Sequence, residues 1–346
     1  MITTQRLPPI APPVITDPFA GKIILQIYRD AYRGDKTTKL QRDLDTAKQE
    51  GFDDICFHGF PREMLNNWAR LAGYAVMRRC TALASWGLDG TKDTDGTVLT
   101  SREKGEAMGD VLAQKSCAAG LLDAEGRWDR GGTDPQGPTE TGALELGIAL
   151  RERAPEALLG DQPWPWIDWH GDVRRSARPF GEGGTFAGFP VDEFAFITNW
   201  GRFRQDYWLN WTEANAYWTV TDTMEKQWQP VQTTLQSLGL ARPLRVTLQG
   251  YGHEERPWHF AHALLRWMVR DQQPVVLWCA PFPNAFTLRV IAAVRRLVAL
   301  GFAGPGIDPR QAVLAFQRDY NRRSSGVKRI DEDGWLGVET IKVLVG

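Results

Sequence analysis

The sequence predicts an α/β chain, a (β/α)8 TIM-like barrel followed by a small three-helix domain. Three observations predict it. Eight short apolar runs alternate with helical stretches, the pattern of a parallel sheet that eight units can close on itself. No GxGxxG or GxxxxGK[ST] follows any of the runs, which counts against nucleotide binding; an open doubly wound sheet is the alternative architecture. From Thr287 onward the alternation stops and only helical patterns remain. The expected division is 1–20 as an N-terminal arm, 21–284 as the barrel and 285–346 as the three-helix part.

The first strand is Lys22–Tyr28, followed by a polar helix over Thr38–Glu50 that Gly51 stops. The second strand is Asp54–His58. Glu63–Leu71 reads as a helix, and the third strand lies within Tyr74–Ser85, where Arg78 and Arg79 interrupt it. Ser101 is a plausible N-cap for a helix running to Gln114. The fourth strand runs from Cys117 to Asp123. Arg127–Pro138 is a Gly-, Asp- and Pro-rich loop, and Thr139–Ala154 a helix. Trp164–Trp169 and Phe194–Trp200 read as strands five and six, separated by a glycine-rich loop over Phe180–Pro190. A Trp- and Tyr-rich segment follows, ending in a helix over Met224–Leu238. Leu244–Gly250 is strand seven, Trp258–Arg270 an amphipathic helix, and Pro274–Cys279 strand eight.

Composition narrows the chemistry. The 346 residues exceed one ordinary domain, and 42% hydrophobic content can bury a core. A net charge of −1 gives no global field for nucleic acid or an acidic membrane, so neither is an expected partner. No apolar run approaches transmembrane length. The first eighteen residues hold five prolines and no apolar signal core, so they read as an extended arm and not as a secretory signal. The four cysteines are scattered with no CxxC, which points to buried free thiols more than to a zinc cluster or disulfide framework. Fifteen Trp residues suit both core packing and stacking on sugar rings.

The fourth strand carries the chemistry. Its apolar run Ala118-Ala119-Gly120-Leu121-Leu122 ends in Asp123-Ala124-Glu125. Side chains two apart on a strand share a face, so Asp123 and Glu125 point the same way. Burial and a neighbouring charge would raise one carboxyl pKa and leave the other ionised, the equipment of glycoside hydrolysis. The plain alternative is two solvated residues past a strand. In a barrel, function gathers at the C-terminal strand ends. Those ends carry Asp30, His58, Trp86, Asp168, His170, Asn199, Trp200, Gln249, Tyr251 and His253. Asp168 and Asp30 are further catalytic candidates, each open to a structural reading, Asp30 because Arg29 and Arg33 could pair with it. Trp86, Trp200, Tyr251, Asn199, Gln249, His58 and His170 are candidate substrate-binding residues. Three histidines near strand ends could bind a metal, but without HxH or HExxH none is assigned, and no cofactor is implied. His259 and His262, three apart on a helix, read as surface or packing residues.

The tail has its own ordered pattern. Leu300-Gly301-Phe302 closes a helix, Ala315-Phe316-Gln317-Arg318 lies in a second, and Asp333-Gly334-Trp335-Leu336-Gly337-Val338-Glu339-Thr340 leads into a third. This resembles the three-helix peptidoglycan-binding domain, which shows L-G-[FY], A-[VI]-x-x-F-Q and D-G-x-x-G-x-x-T in that order. The resemblance implies wall binding through Phe316, Gln317, Asp333, Gly334, Trp335, Gly337 and Thr340. Val338-Glu339 replaces the usual Pro-Lys, and 321–329 is longer and more basic than the usual loop. A purely structural three-helix tail is the alternative. The barrel with D-x-E after strand four in turn resembles the glycoside hydrolase family 25 muramidases. It departs from them on strand one, where Ile27-Tyr28-Arg29-Asp30 stands in place of G-[IV]-D.

Together the two resemblances imply a peptidoglycan hydrolase with Glu125 as acid and Asp123 as base, stabiliser or nucleophile. It would act at the bacterial cell wall as a phage endolysin or tail-associated lysin, reaching the wall by lysis, phage delivery or another non-classical route. The alternatives are a non-catalytic wall-binding or structural protein with a degenerate barrel, and a metal-dependent amidase acting on the stem peptide.

Overall fold

The computed structural model describes residues 17–28, 37–58, 76–79, 100–113, 117–122, 148–161, 211–216, 244–250, 257–278, 282–324 and 329–346. Eight strands close into a barrel in sequence order: β1 (Ile23–Tyr28), β2 (Asp54–His58), β3 (Val76–Arg79), β4 (Cys117–Leu122), β5 (Leu158–Asp161), β6 (Trp211–Ala216), β7 (Leu244–Gln249) and β8 (Val275–Trp278). Each strand runs parallel to its neighbours, and β1 pairs with β8 to shut the ring.

Strands β1, β2, β7 and β8 fall where apolar runs place them, β4 one residue short of Asp123, and β3 inside its expected window. Two strands do not follow expectation. The fifth is Leu158–Asp161 and the sixth is Trp211–Ala216, not Trp164–Trp169 and Phe194–Trp200, which lie outside the described residues. β5 is held early by Arg151, whose guanidinium donates to the carbonyls of Ala154, Pro155 and Ala157 immediately before the strand. Burial pulls that guanidinium down to about 10. β6, Trp-Thr-Glu-Ala-Asn-Ala, contains no apolar run that would mark it as a strand.

Side-chain alternation sorts each strand into two faces. Ile24, Cys56, Ala119, Leu121, Leu158 and Val276 form the interior cluster. Ile23, Leu25, Ile27, Ile55, Phe57, Val246, Leu248, Val275 and Leu277 face outward to the helices. Phe19 enters the interior cluster from the N-terminal end of β1 and is fully buried. Asp17 fixes it there, accepting from the Phe19 amide and pairing with Arg245 at the start of β7. The last residues of the expected arm therefore form the floor of the barrel.

Helix α1 (Thr37–Gln49) ends at Gly51, whose φ of +76° only glycine adopts without strain. Helix α2 (Ser101–Leu112) is capped by Thr100 and not by Ser101. The Thr100 hydroxyl accepts from the Glu103 amide, and the Glu103 carboxylate accepts from Thr100 in return. These bonds hold Glu103 below the usual carboxylate range. Helix α3 (Pro257–Leu264) passes into a π-helical stretch over Leu265–Arg270. The expected amphipathic pattern gives way to burial on most sides, from Phe260 to Val269. The cause is the tail, which covers what would otherwise be its solvent face.

The tail consists of α4 (Ala285–Ala299), α5 (Pro309–Arg323) and α6 (Val338–Val345). α4 occupies the place of the barrel's eighth helix. It packs on α3, and its Arg295 donates to the carbonyls of Glu50 and Gly51 at the end of α1. Val290, Ile291, Val294 and Leu297 of α4 belong to one hydrophobic cluster with the outer faces of the strands. The same cluster continues into Val313, Phe316, Leu336, Ile341 and Leu344 of the tail. A cut before residue 285 thus falls between β8 and a helix that the barrel core shares.

Candidate functional site

The C-terminal ends of the strands define one mouth. His58 ends β2 and Gln249 ends β7, both at that mouth. Asp30, Trp86, Asp123, Glu125, Asp168, His170, Asn199, Trp200, Tyr251 and His253 lie outside the described residues. Strands five and six end at Asp161 and Ala216, not at the Trp169 and Trp200 from which the sequence placed Asp168, His170, Asn199 and Trp200. β4 closes at Leu122, so Asp123 is the next residue in the chain.

The register brings further residues to this mouth. His58 pairs with Arg79, and Arg79 with Leu121, so the three share one register row across β2, β3 and β4. Arg79 was legible only as an interruption of strand three. On the opposite side Gln249, Trp278 and Gln26 pair in one row across β7, β8 and β1. Trp278 is half-buried and Gln26 is fully buried. The signal for Gln26 was present in the sequence, as the one polar residue inside Ile23-Ile24-Leu25-Gln26-Ile27. Among the described residues no group of three His, Cys, Asp or Glu is placed to hold a metal ion.

The tail motif residues converge, and what brings them together is structural. Gln317 is fully buried. Its amide nitrogen donates to Asp333 Oδ1 (2.9 Å), the Trp335 carbonyl (3.0 Å) and Thr340 Oγ1 (3.3 Å), and its Oε1 accepts from the Gly334 amide (2.9 Å). One side chain on α5 thereby ties the whole loop into α6. Gly334 has φ +74°, and an added Cβ would stand 2.9 Å from the Arg310 carbonyl. Phe316 packs edge-on to Phe302, with ring centroids 5.5 Å apart. Gly337 caps α6. Trp335 is clasped by the Arg310 guanidinium at 4.7 Å on one side and by His262 and His259 of α3. His259 and His262 are therefore packing residues that join tail to barrel. Gly334→Ala is expected to cost about 1–3 kcal/mol, since a side chain there is both strained and crowded. Urea denaturation of the full chain measures it, and an unchanged midpoint would mean the loop can reshape.

No family model matches the sequence, and no curated protein matches it. Several solved structures resemble the fold. The active domain 2 of a thermostable chitinase from Pyrococcus furiosus shares 10% identity over 82% of this chain and 99% of that one, with a TM-score of 0.48. An endo-1,4-beta-mannanase from Rhizomucor miehei shares 11% identity over 77% of this chain and 87% of that one, with a TM-score of 0.43. A 3-dehydroquinate dehydratase from Geobacillus kaustophilus shares 10% identity over 79% and 91%, with a TM-score of 0.42. Glycoside hydrolases and a dehydratase stand together in this set. The barrel itself is defined by the strand pairing above.

Proposed function

We propose that this chain is a peptidoglycan hydrolase of the muramidase type, a glycosidase that cuts the glycan strands of the cell wall. One observation carries the reading: β4 ends at Leu122 with Leu121 inside the barrel. Asp123 follows that strand directly and Glu125 two residues later, next to the strand end at which barrel enzymes do their chemistry. Glu125 is the general acid that protonates the leaving oxygen. Asp123, held ionised, acts on the anomeric carbon as nucleophile, stabiliser or base. The ordered tail motif supplies the choice of wall polymer as substrate, and phage-borne delivery is the proposed route to it.

The test is loss of turbidity of purified cell walls, with and without EDTA, together with release of reducing sugar ends. Clearing that resists EDTA and liberates reducing ends supports the glycosidase. Clearing abolished by EDTA without reducing ends replaces it with the amidase.

A second reading of the tail is favoured by its hydrogen bonds. Gln317, Asp333, Gly334 and Thr340 are all engaged in holding the 333–340 loop, and Phe316 is core. The motif can thus be a brace for the barrel rather than a wall-binding surface. Co-sedimentation of the full chain with purified peptidoglycan separates the two. Pelleting in proportion to wall added supports binding, and a chain that stays in the supernatant leaves the brace.

A further inference from the structure

We propose that Gln26, beside Trp278, recognises the acetamido group of an N-acetylated sugar. The inference rests on the glycosidase reading and names the substrate feature that the site selects. Gln26 sits at an inward position of β1, in register with Trp278 of β8 on one side and Cys56 of β2 on the other. Its side chain is fully buried, and neither Oε1 nor Nε2 has a hydrogen-bond partner. Buried amides are almost always satisfied, because an unpaired donor or acceptor retains its whole desolvation penalty. An apolar residue would fill this place more cheaply, as Ile24 does one inward step below.

The amide therefore has a use that the folded chain alone does not supply. Cys56, on its other flank, is fully buried, whereas Trp278 is half-buried at the mouth end of β8. The approach the proposal assigns to the ligand is therefore from the Trp278 side. An indole face takes the apolar face of a pyranose ring or a methyl group. A primary amide presents one acceptor and two donors, and a secondary acetamide one donor and one acceptor, so the two planar groups pair in both directions. A sugar bearing only hydroxyl groups lacks that match. A site with buried polar groups discriminates most strongly against ligands that leave them unpaired.

The experiment measures calorimetric binding of the N-acetylglucosamine trimer and of cellotriose to the full chain in the Glu125→Gln background, with Gln26 intact or replaced by Met. With Gln26 intact, the acetylated trimer is expected to bind roughly tenfold or more tightly than cellotriose. Gln26→Met is expected to erase that preference while the thermal midpoint stays level or rises, since two unsatisfied atoms are removed. Equal affinity of the Gln26-intact chain for the two sugars overturns the assignment. So does a Gln26→Met variant that keeps the preference, or one whose fold collapses, which makes the amide structural. Wall lysis by the native chain alongside any of these results removes this inference alone. Absence of both sugar binding and lysis removes the glycosidase reading with it.

Discussion

Glu125→Gln is expected to lower wall lysis by at least about a hundredfold, with thermal stability little changed. The substitution keeps the shape of the side chain and removes the proton it donates. General acid catalysis contributes about 10²–10⁴-fold, so its loss is read directly in the rate of clearing. In the proposed role Glu125 is protonated at working pH, which requires a raised pKa, and an ionised neighbouring carboxylate would raise it. Asp123→Asn is expected to be severe as well, and to shift the acid limb of the pH profile if the two carboxyls are coupled. Clearing by Glu125→Gln within a few-fold of the parent would move the acid to another carboxylate of the mouth, with Asp168 the next candidate.

A chain ending at Asn284 is expected not to fold. It would lack α4, and with it Val290, Ile291, Val294 and Leu297, all almost completely buried in the cluster shared with the barrel. Each such side chain is worth roughly 1.5–3 kcal/mol when buried, so the four together rival the roughly 5–15 kcal/mol stability of a whole domain. The truncation also removes Arg295 from the carbonyls that close α1. Leu297→Ala in the full chain provides a graded version, expected to cost about 2–5 kcal/mol by urea denaturation. A soluble truncated chain with a cooperative transition at the parent midpoint would show that α4 is dispensable to the barrel.

The barrel was legible wherever its strands were continuous apolar runs. Ile23–Ile27 and Val275–Leu277 are buried on both faces and are apolar but for Gln26, while β7 showed itself by the alternation in Leu244–Gln249. Leu158–Asp161 is too short and glycine-bearing to stand out, and Trp211–Ala216 alternates small, polar and aromatic residues. The aromatic runs Trp164–Trp169 and Phe194–Trp200 carry the higher strand propensity in sequence and drew the reading away from both. Asp168, His170, Asn199 and Trp200 were assigned to ends of strands five and six that the structure puts at Asp161 and Ala216, whereas β4 was read to within one residue of its end at Leu122. Gln26 and Trp278 were passed over for another reason. Pairing across β8 and β1 closes the ring between the two ends of the barrel sequence, and no local pattern reveals it. In the tail, the motif was legible as residue types, but its meaning as a clamp needed the convergence of the 333–340 loop on Gln317.

The shared helix α4 also bears on how wall anchoring and cleavage could be coupled. Modules joined by a flexible linker gain an effective concentration set by linker length. Here the last strand and the tail are joined by a helix seated in the barrel's own core, so there is no tether whose length can be tuned. If the tail grips the wall, the reach of the mouth is a fixed vector: glycan strands lying along it meet the active site at every encounter, and strands off it are not reached by lengthening anything. Exchanging the tail for a different anchor would therefore require rebuilding the barrel wall against the new helix.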